Sequence, residues 1–149
     1  MSNKNLVDVV VDSGASLPEN TSTSLTSGFH IVPMEVTIFG KTYQDSVDLP
    51  NSAFYRLLKE FRALPTTSAP NPGSYIDTFR KAALRSHAII CLPVSTSLSS
   101  SYDSARIAIT EFKHESPETK VVLLDTKSAA GSQGLIAFQA WRQPDEKKH

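Results

Sequence analysis

Cysteine is almost missing: Cys91 is the only one in 149 residues. No disulfide can form within the chain, and a reducing, cytoplasmic setting is the expectation. Excess charge of either sign is missing too, since Lys plus Arg and Asp plus Glu both total 15. Without a basic field there is nothing to draw a nucleic acid or an anionic membrane, and the end Lys147-Lys148-His149 reads as solvated. Long hydrophobic runs are absent. The apolar stretch beginning at Leu6 is too short for a signal-peptide core or a membrane span. His30, His87, His114 and His149 lie far apart, with no metal-ligand spacing, so no metal is expected. There is no Gly-x-x-x-x-Gly-Lys-Ser/Thr phosphate loop and no Gly-x-Ser-x-Gly elbow. The residues therefore give no sign of a cofactor or of a catalytic base and nucleophile pair.

What is present suits one domain over residues 1–149, with 142–149 as a polar tail. Hydrophobic residues make up 40% and charged residues 20%, ordinary globular values. Leu6 to Val11 is a β-branched run closed by Asp12-Ser13-Gly14, the pattern of a buried strand. Ala15 to Gly28 is dominated by Ser and Thr and allows one short helix at most. Ile31 to Phe39 reads as extended, made irregular by Pro33. Gly40-Lys41 is a turn, with Thr42-Tyr43 pairing back. Phe54, Leu57, Leu58 and Phe61 fall at helical spacing behind Pro50 and Asn51.

Pro65 to Gly73 reads as a loop on composition. Asn71-Pro72 supplies an N-cap and first helical position for a helix with Tyr75, Phe79, Ala82 and Ala83 on its apolar face. His87 to Val94 is a strand, and Cys91 within it a buried, inert thiol. Ser95 to Ser101 is a loop, followed by a helix marked by Tyr102, Ala105, Ile109 and Phe112. Val121 to Leu124 is the last strand, and Ala129 to Trp141 a helix that Gln143-Pro144 ends. Phe29, Phe39 and Trp141 are assigned to the core or to a covered interface. Strands alternating with helices predict an α/β fold, a three-layer α/β/α arrangement around a mainly parallel sheet.

Ligands of open α/β sheets bind beyond the carboxyl ends of the strands. Three strands here finish in small hydroxyl-bearing residues: Asp12-Ser13, Ser95 to Ser101, and Asp125-Thr126-Lys127-Ser128. Thr66-Thr67-Ser68 also precedes a helix start, where unpaired N–H groups and a partial positive charge favour an anion. Hydroxyls add donors that rotate to suit a carboxylate. If these loops converge they make a site for a small anionic head group; taken singly, each does no more than cap and turn.

The chain resembles the DegV family over nearly its whole length. Val9-Val10-Val11-Asp12-Ser13 is similar to the family's opening Asp-Ser-Thr motif. Val32-Pro33-Met34 and Gly40-Lys41-Thr42-Tyr43-Gln44-Asp45 resemble the segment that follows it. Pro65-Thr66-Thr67-Ser68-Ala69-Pro70 with Pro72-Gly73 is similar to the Thr-Thr-Ser-x-Pro-x-x-Gly loop, the most specific match. Ser95 to Tyr102 with Ser104-Ala105, and Asp125 to Ala129 with Gly131 and Gly134, resemble the family's later motifs. The resemblance implies a long-chain fatty acid whose carboxylate is held by Thr67 and Ser99, with Ser68 and Ser13 as neighbours. It implies a carrier that presents the acid to a separate fatty acid kinase.

Gly14 stands where the family has Thr, which removes one hydroxyl. Ser100 stands where it has Gly, costly if that backbone needs φ above zero. Family members continue into a second domain that encloses most of the acyl chain. Ten methylenes left in water forfeit about 8 kcal/mol, so the isolated chain is expected to bind fatty acid weakly, or to need a second-domain partner. The alternative is a partial module without ligand, an interaction or structural domain that forms a homodimer through the face such a partner would cover.

Overall fold

The computed structural model describes residues 6–18, 21, 28–61 and 64–146. Strand β1 (Leu6–Asp12) ends in a short 3-10 turn at Ser13–Ala15, and β2 (Phe29–Val32), β3 (Glu35–Ile38) and β4 (Lys41–Gln44) follow. Helix α1 (Asn51–Phe61), β5 (Thr66–Ser68) and α2 (Pro72–Ala83) come next. The chain then runs through β6 (Ser86–Leu92), α3 (Ser101–Glu115), β7 (Lys120–Leu123) and α4 (Ala130–Glu146).

Strand β1 is apolar on both faces because each face meets its own core, the situation of a central parallel strand. Val10 packs with Ile89 and Cys91 of β6 beneath Tyr75, Phe79 and Ala82 of α2 and Ala105, Ala108 and Phe112 of α3. Val9 and Val11 face the other way, onto Phe29, Leu92 and Ala137 of α4. The rings of Phe29 and Trp141 meet edge-on at 6.5 Å, a favoured aromatic arrangement. The result is a four-stranded parallel sheet in the order β2-β1-β6-β7 between α2 and α3 on one side and α4 on the other. This is the predicted three-layer α/β/α fold.

A second sheet was not foreseen. It is antiparallel, ordered β4-β3-β5, and Val36, Ile38 and Leu49 pack there with Ala53, Phe54 and Leu57. Ile31 to Phe39, read as one extended segment, is two strands in different sheets. Pro33 has no N–H to donate and marks the crossing. Thr66–Ser68, read as loop, is a strand because the free edge of β3 pairs with it, Val36 opposite Thr67.

Strand β6 stops at Leu92 rather than Val94; the Val94 N–H is taken by a side chain instead. Helix α4 continues through Pro144 to Glu146. In the last turn a proline forfeits a bond at the end of the ladder rather than in its middle. Phe39, assigned to the core or to a covered interface, is not in the core: it is 62% exposed at the hairpin tip, where its φ of 52° and Gly40's of 72° make the tight connection. Of the stretch 15–28, residues 19, 20 and 22–27 lie outside the described residues, and the short helix allowed there with them.

Candidate functional site

All four strands of the main sheet run parallel, so their carboxyl ends share one edge. The chain leaves β1 toward β2 on one side and returns as β6 on the other, which puts the change of direction between β1 and β6. At that point an open cleft of about 770 Å³ is bordered by Ser13, Gly14, Met34, Thr67, Ser68, Val94, Ser99 and Ser100, among others. The four residues singled out in the sequence, Ser13, Thr67, Ser68 and Ser99, thus border one cleft. Pairing with β3 brings Thr67 and Ser68 there, so the short second sheet carries the Thr-Ser segment to the edge of the main one.

The cleft is also where helices begin. Asn71 and Pro72 at the start of α2, Ser99 and Ser100 before α3, and Ala129 before α4 all border it. Asn71 Oδ1 caps α2, accepting the Ser74 N–H at 2.9 Å. Helix starts favour negative charge. No lysine or arginine is among the bordering residues, and Asp45 is the charged one. What could attract an anion here is the helix ends and the hydroxyls.

Beneath the cleft Asp12 is fully buried and acts as a hub. Its carboxylate accepts the Gly14 N–H at 3.1 Å, the Val94 N–H at 2.8 Å, the Tyr75 hydroxyl at 3.3 Å and the Gln133 amide at 3.1 Å. The segment after β1, the segment after β6, α2 and α4 are all tied to this one group. Burial, then the charge of Asp12, pushes the Tyr75 hydroxyl far above its usual pKa, which keeps it a neutral donor. Burial does the same to Cys91, the inert thiol expected.

Asp12 takes up the Gly14 and Val94 backbone N–H groups at the base of the cleft. Ser13 Oγ accepts the Met34 N–H at 2.9 Å, leaving its proton for the cleft. Ser99 Oγ accepts the Ser101 N–H at 3.1 Å and lies 3.0 Å from Ser101 Oγ. Among the described residues the Thr67 and Ser68 hydroxyls have no side-chain partner. Ser100 has φ −82°, so the serine in place of glycine carries no backbone strain. Lys127 is outside the cleft, at φ 52°, its N–H on Asp125 at 2.9 Å. Asp125 also accepts the Thr96 hydroxyl at 2.9 Å; backbone bonding by Lys127, then this hydroxyl, holds its pKa below the ordinary value. Sequence reasoning missed Tyr75 and Gln133 as partners of Asp12, since nothing in their spacing signals them.

Two further cavities lie among the described residues. A pocket of about 330 Å³ meets the cleft at Ser13, Ser16 and Asp45 and is bordered by Leu17, Ile31, Val47 and Tyr55. A groove of about 1020 Å³ lies between α4 and strands β6 and β7, lined by Ile90, Leu92, Leu124, Leu135, Ile136 and Phe138. No group of side chains able to hold a metal occurs among the described residues. No described helix is long and apolar enough to cross a membrane.

The DegV family model, which describes an uncharacterised protein, matches residues 6–148. The chain belongs to the DegV family. A DegV domain-containing protein of Clostridium acetobutylicum is 30% identical over 142 residues, 95% of this chain and 49% of that protein. Among solved structures, a stearic-acid-binding protein from Eubacterium ventriosum is 28% identical with a TM-score of 0.85, over 95% of this chain and 48% of that one. A fatty-acid-binding DegV family protein from Thermus thermophilus is 27% identical with a TM-score of 0.80, over 97% and 49%. The chain spans about half the length of these relatives. Both of these solved relatives are described as fatty-acid-binding proteins.

Proposed function

We propose that the cleft holds the carboxylate of a long-chain fatty acid, bound by the hydroxyls of Thr67, Ser68, Ser99 and Ser13. Supplied with a second half, the chain would present that acid to a separate kinase. The observation that supports this is the meeting of those four residues with three helix starts at one sheet edge. Hydroxyls and helix ends together suit a single negative charge. The kinase-facing role rests on the family resemblance alone.

Head-group bonds at an open site contribute roughly 0.5–1.5 kcal/mol each, against about 0.8 kcal/mol for every methylene buried. Residues 1–149 tested alone would therefore bind weakly, and the second half of a DegV protein would strengthen the binding. Native mass spectrometry after bacterial expression tests this. Lipid retained by the completed pair, and lost or weakened about tenfold by Thr67→Ala with Ser99→Ala, is the expected result. An empty pair, or a pair indifferent to both substitutions, defeats the reading.

A second reading is favoured by the groove beside α4, where Leu135 is 72%, Leu124 49% and Ile136 41% exposed. Contiguous apolar surface of this kind marks an interaction face. The chain would then be an interaction module that self-associates or takes a partner through α4. Light scattering distinguishes the two: self-association abolished by Leu135→Glu, without retained lipid, supports the module.

A further inference from the structure

The second sheet brings one unneutralised charge to the cleft. Asp45 follows β4 and borders both the hydroxyl-lined cleft and the smaller pocket that joins it. Its backbone is pinned: the Asp45 N–H donates to the Met34 carbonyl at 2.8 Å, one residue beyond the paired Glu35 and Gln44. On its carboxylate, Oδ1 accepts the Ser46 hydroxyl at 3.3 Å. Among the described residues no lysine, arginine or histidine pairs with it. Lys41, at the start of the same strand, lies over the Tyr43 ring, 5.0 Å from its centroid, and borders neither cavity. Asp48 accepts the Gln44 N–H at 3.0 Å and also borders neither. The buried Asp12 differs, because four donors occupy its oxygens.

The register of the second sheet sets how far this charge stands from the hydroxyls. Ser68 pairs with Glu35, and Glu35 pairs with Gln44, the neighbour of Asp45. Two strand spacings therefore separate Asp45 from Ser68, about 10 Å between backbones. A head group held on Thr67 and Ser68 lies within about one Debye length of the Asp45 carboxylate. Repulsion persists over that range and grows in proportion to the charge on the ligand. Hydroxyls and helix starts acting alone would favour a phosphate, which has two charges and more acceptor oxygens than a carboxylate. Asp45 works against that preference.

We propose that Asp45 is a specificity residue that sets the charge of the head group the cleft accepts, penalising a doubly charged phosphate more than a singly charged carboxylate. This rests on the carboxylate reading of the cleft and adds a selectivity to it. The hydroxyls hold an anion, and the fixed negative charge beside them sets an upper limit on how much charge that anion carries. An uncharged head group is indifferent to Asp45.

Hexanoate, hexyl phosphate and hexanol share one chain and carry one, two and no negative charges at about pH 8. Their dissociation constants for the 149-residue chain are read at low ionic strength from amide-resonance titrations. Asp45→Asn keeps the shape of the side chain and an acceptor for Ser46 while removing the charge. It is expected to tighten hexanoate about threefold and hexyl phosphate, with twice the charge, about tenfold. Hexanol binding stays as in wild type, and Asp45→Glu, which restores the charge, restores the discrimination between the two anions. A merely structural role for Asp45 would move all three probes alike. That result overturns the proposal, as does Asp45→Asn leaving the ratio of the two anion affinities unchanged. Failure of the carboxylate reading looks different and takes the proposal with it: hexanoate binding would then be untouched by Thr67→Ala with Ser99→Ala.

Discussion

Gly14 borders the cleft where the family resemblance implies a threonine. A Cβ there would collide with the Val94 side chain and stand 2.9 Å from Asp12 Oδ1 and 3.2 Å from Met34 Sδ. The missing hydroxyl has been replaced by apolar packing. Its loss was legible in the sequence; the filling by Val94 and Met34, distant in sequence, was not. Gly14→Ala is expected to lower stability by about 1–3 kcal/mol through overpacking, read as a lower denaturation midpoint. An unchanged midpoint would mean that both neighbours yield freely.

At the other end of β1, fully buried Asp8 meets His30 Nε2 at 2.7 Å, Arg85 Nε at 3.4 Å and the Ser86 hydroxyl. Burial pushes its pKa up, but hydrogen bonds to His30 and Ser86, with the charges of His30 and Arg85, outweigh it and hold the group below 3.8. A carboxylate whose folded pKa lies below its unfolded one stabilises fully above the unfolded value. That contribution is lost as pH falls through the folded value. Wild type should therefore lose stability more steeply than Asp8→Asn as pH drops below about 4. Parallel slopes in acid urea titrations would contradict the assignment.

Among the elements, α2 shows how local chemistry reaches the site. Asn71 and Pro72 announce its start in the sequence, and the structure has the cap in place, with Asn71 on the cleft wall. Asn71→Ala should cost about 1 kcal/mol, measured as a shift in the unfolding midpoint; no shift would mean that the cap is satisfied by other groups. Strand β5 is the opposite case. The short stretch between Pro65 and Pro70 carries no periodic signal, and three of its four residues form a strand only because β3, 28 or more residues earlier, leaves an edge open. Pro33 announced an irregularity but not that the chain changes sheets there.

For the molecule as a whole, the alternation of strands and helices was enough to foresee a parallel sheet whose carboxyl ends share one edge. It was not enough to foresee the second sheet that brings Thr67 and Ser68 beside Ser13. Nor did it locate the apolar face. A parallel sheet is ordinarily covered on both sides, yet α4 leaves Ile90, Leu92 and Leu124 bordering a groove on the β6 and β7 side. The protein thus has two candidate surfaces for an amphiphile, a hydroxyl-lined cleft and an apolar groove on α4. A titration of the isotopically labelled protein with octanoate, followed residue by residue through its amide resonances, separates them. The account predicts shifts centred on Ser13, Thr67, Ser68 and Ser99; shifts confined to Leu124, Leu135 and Ile136 would contradict it.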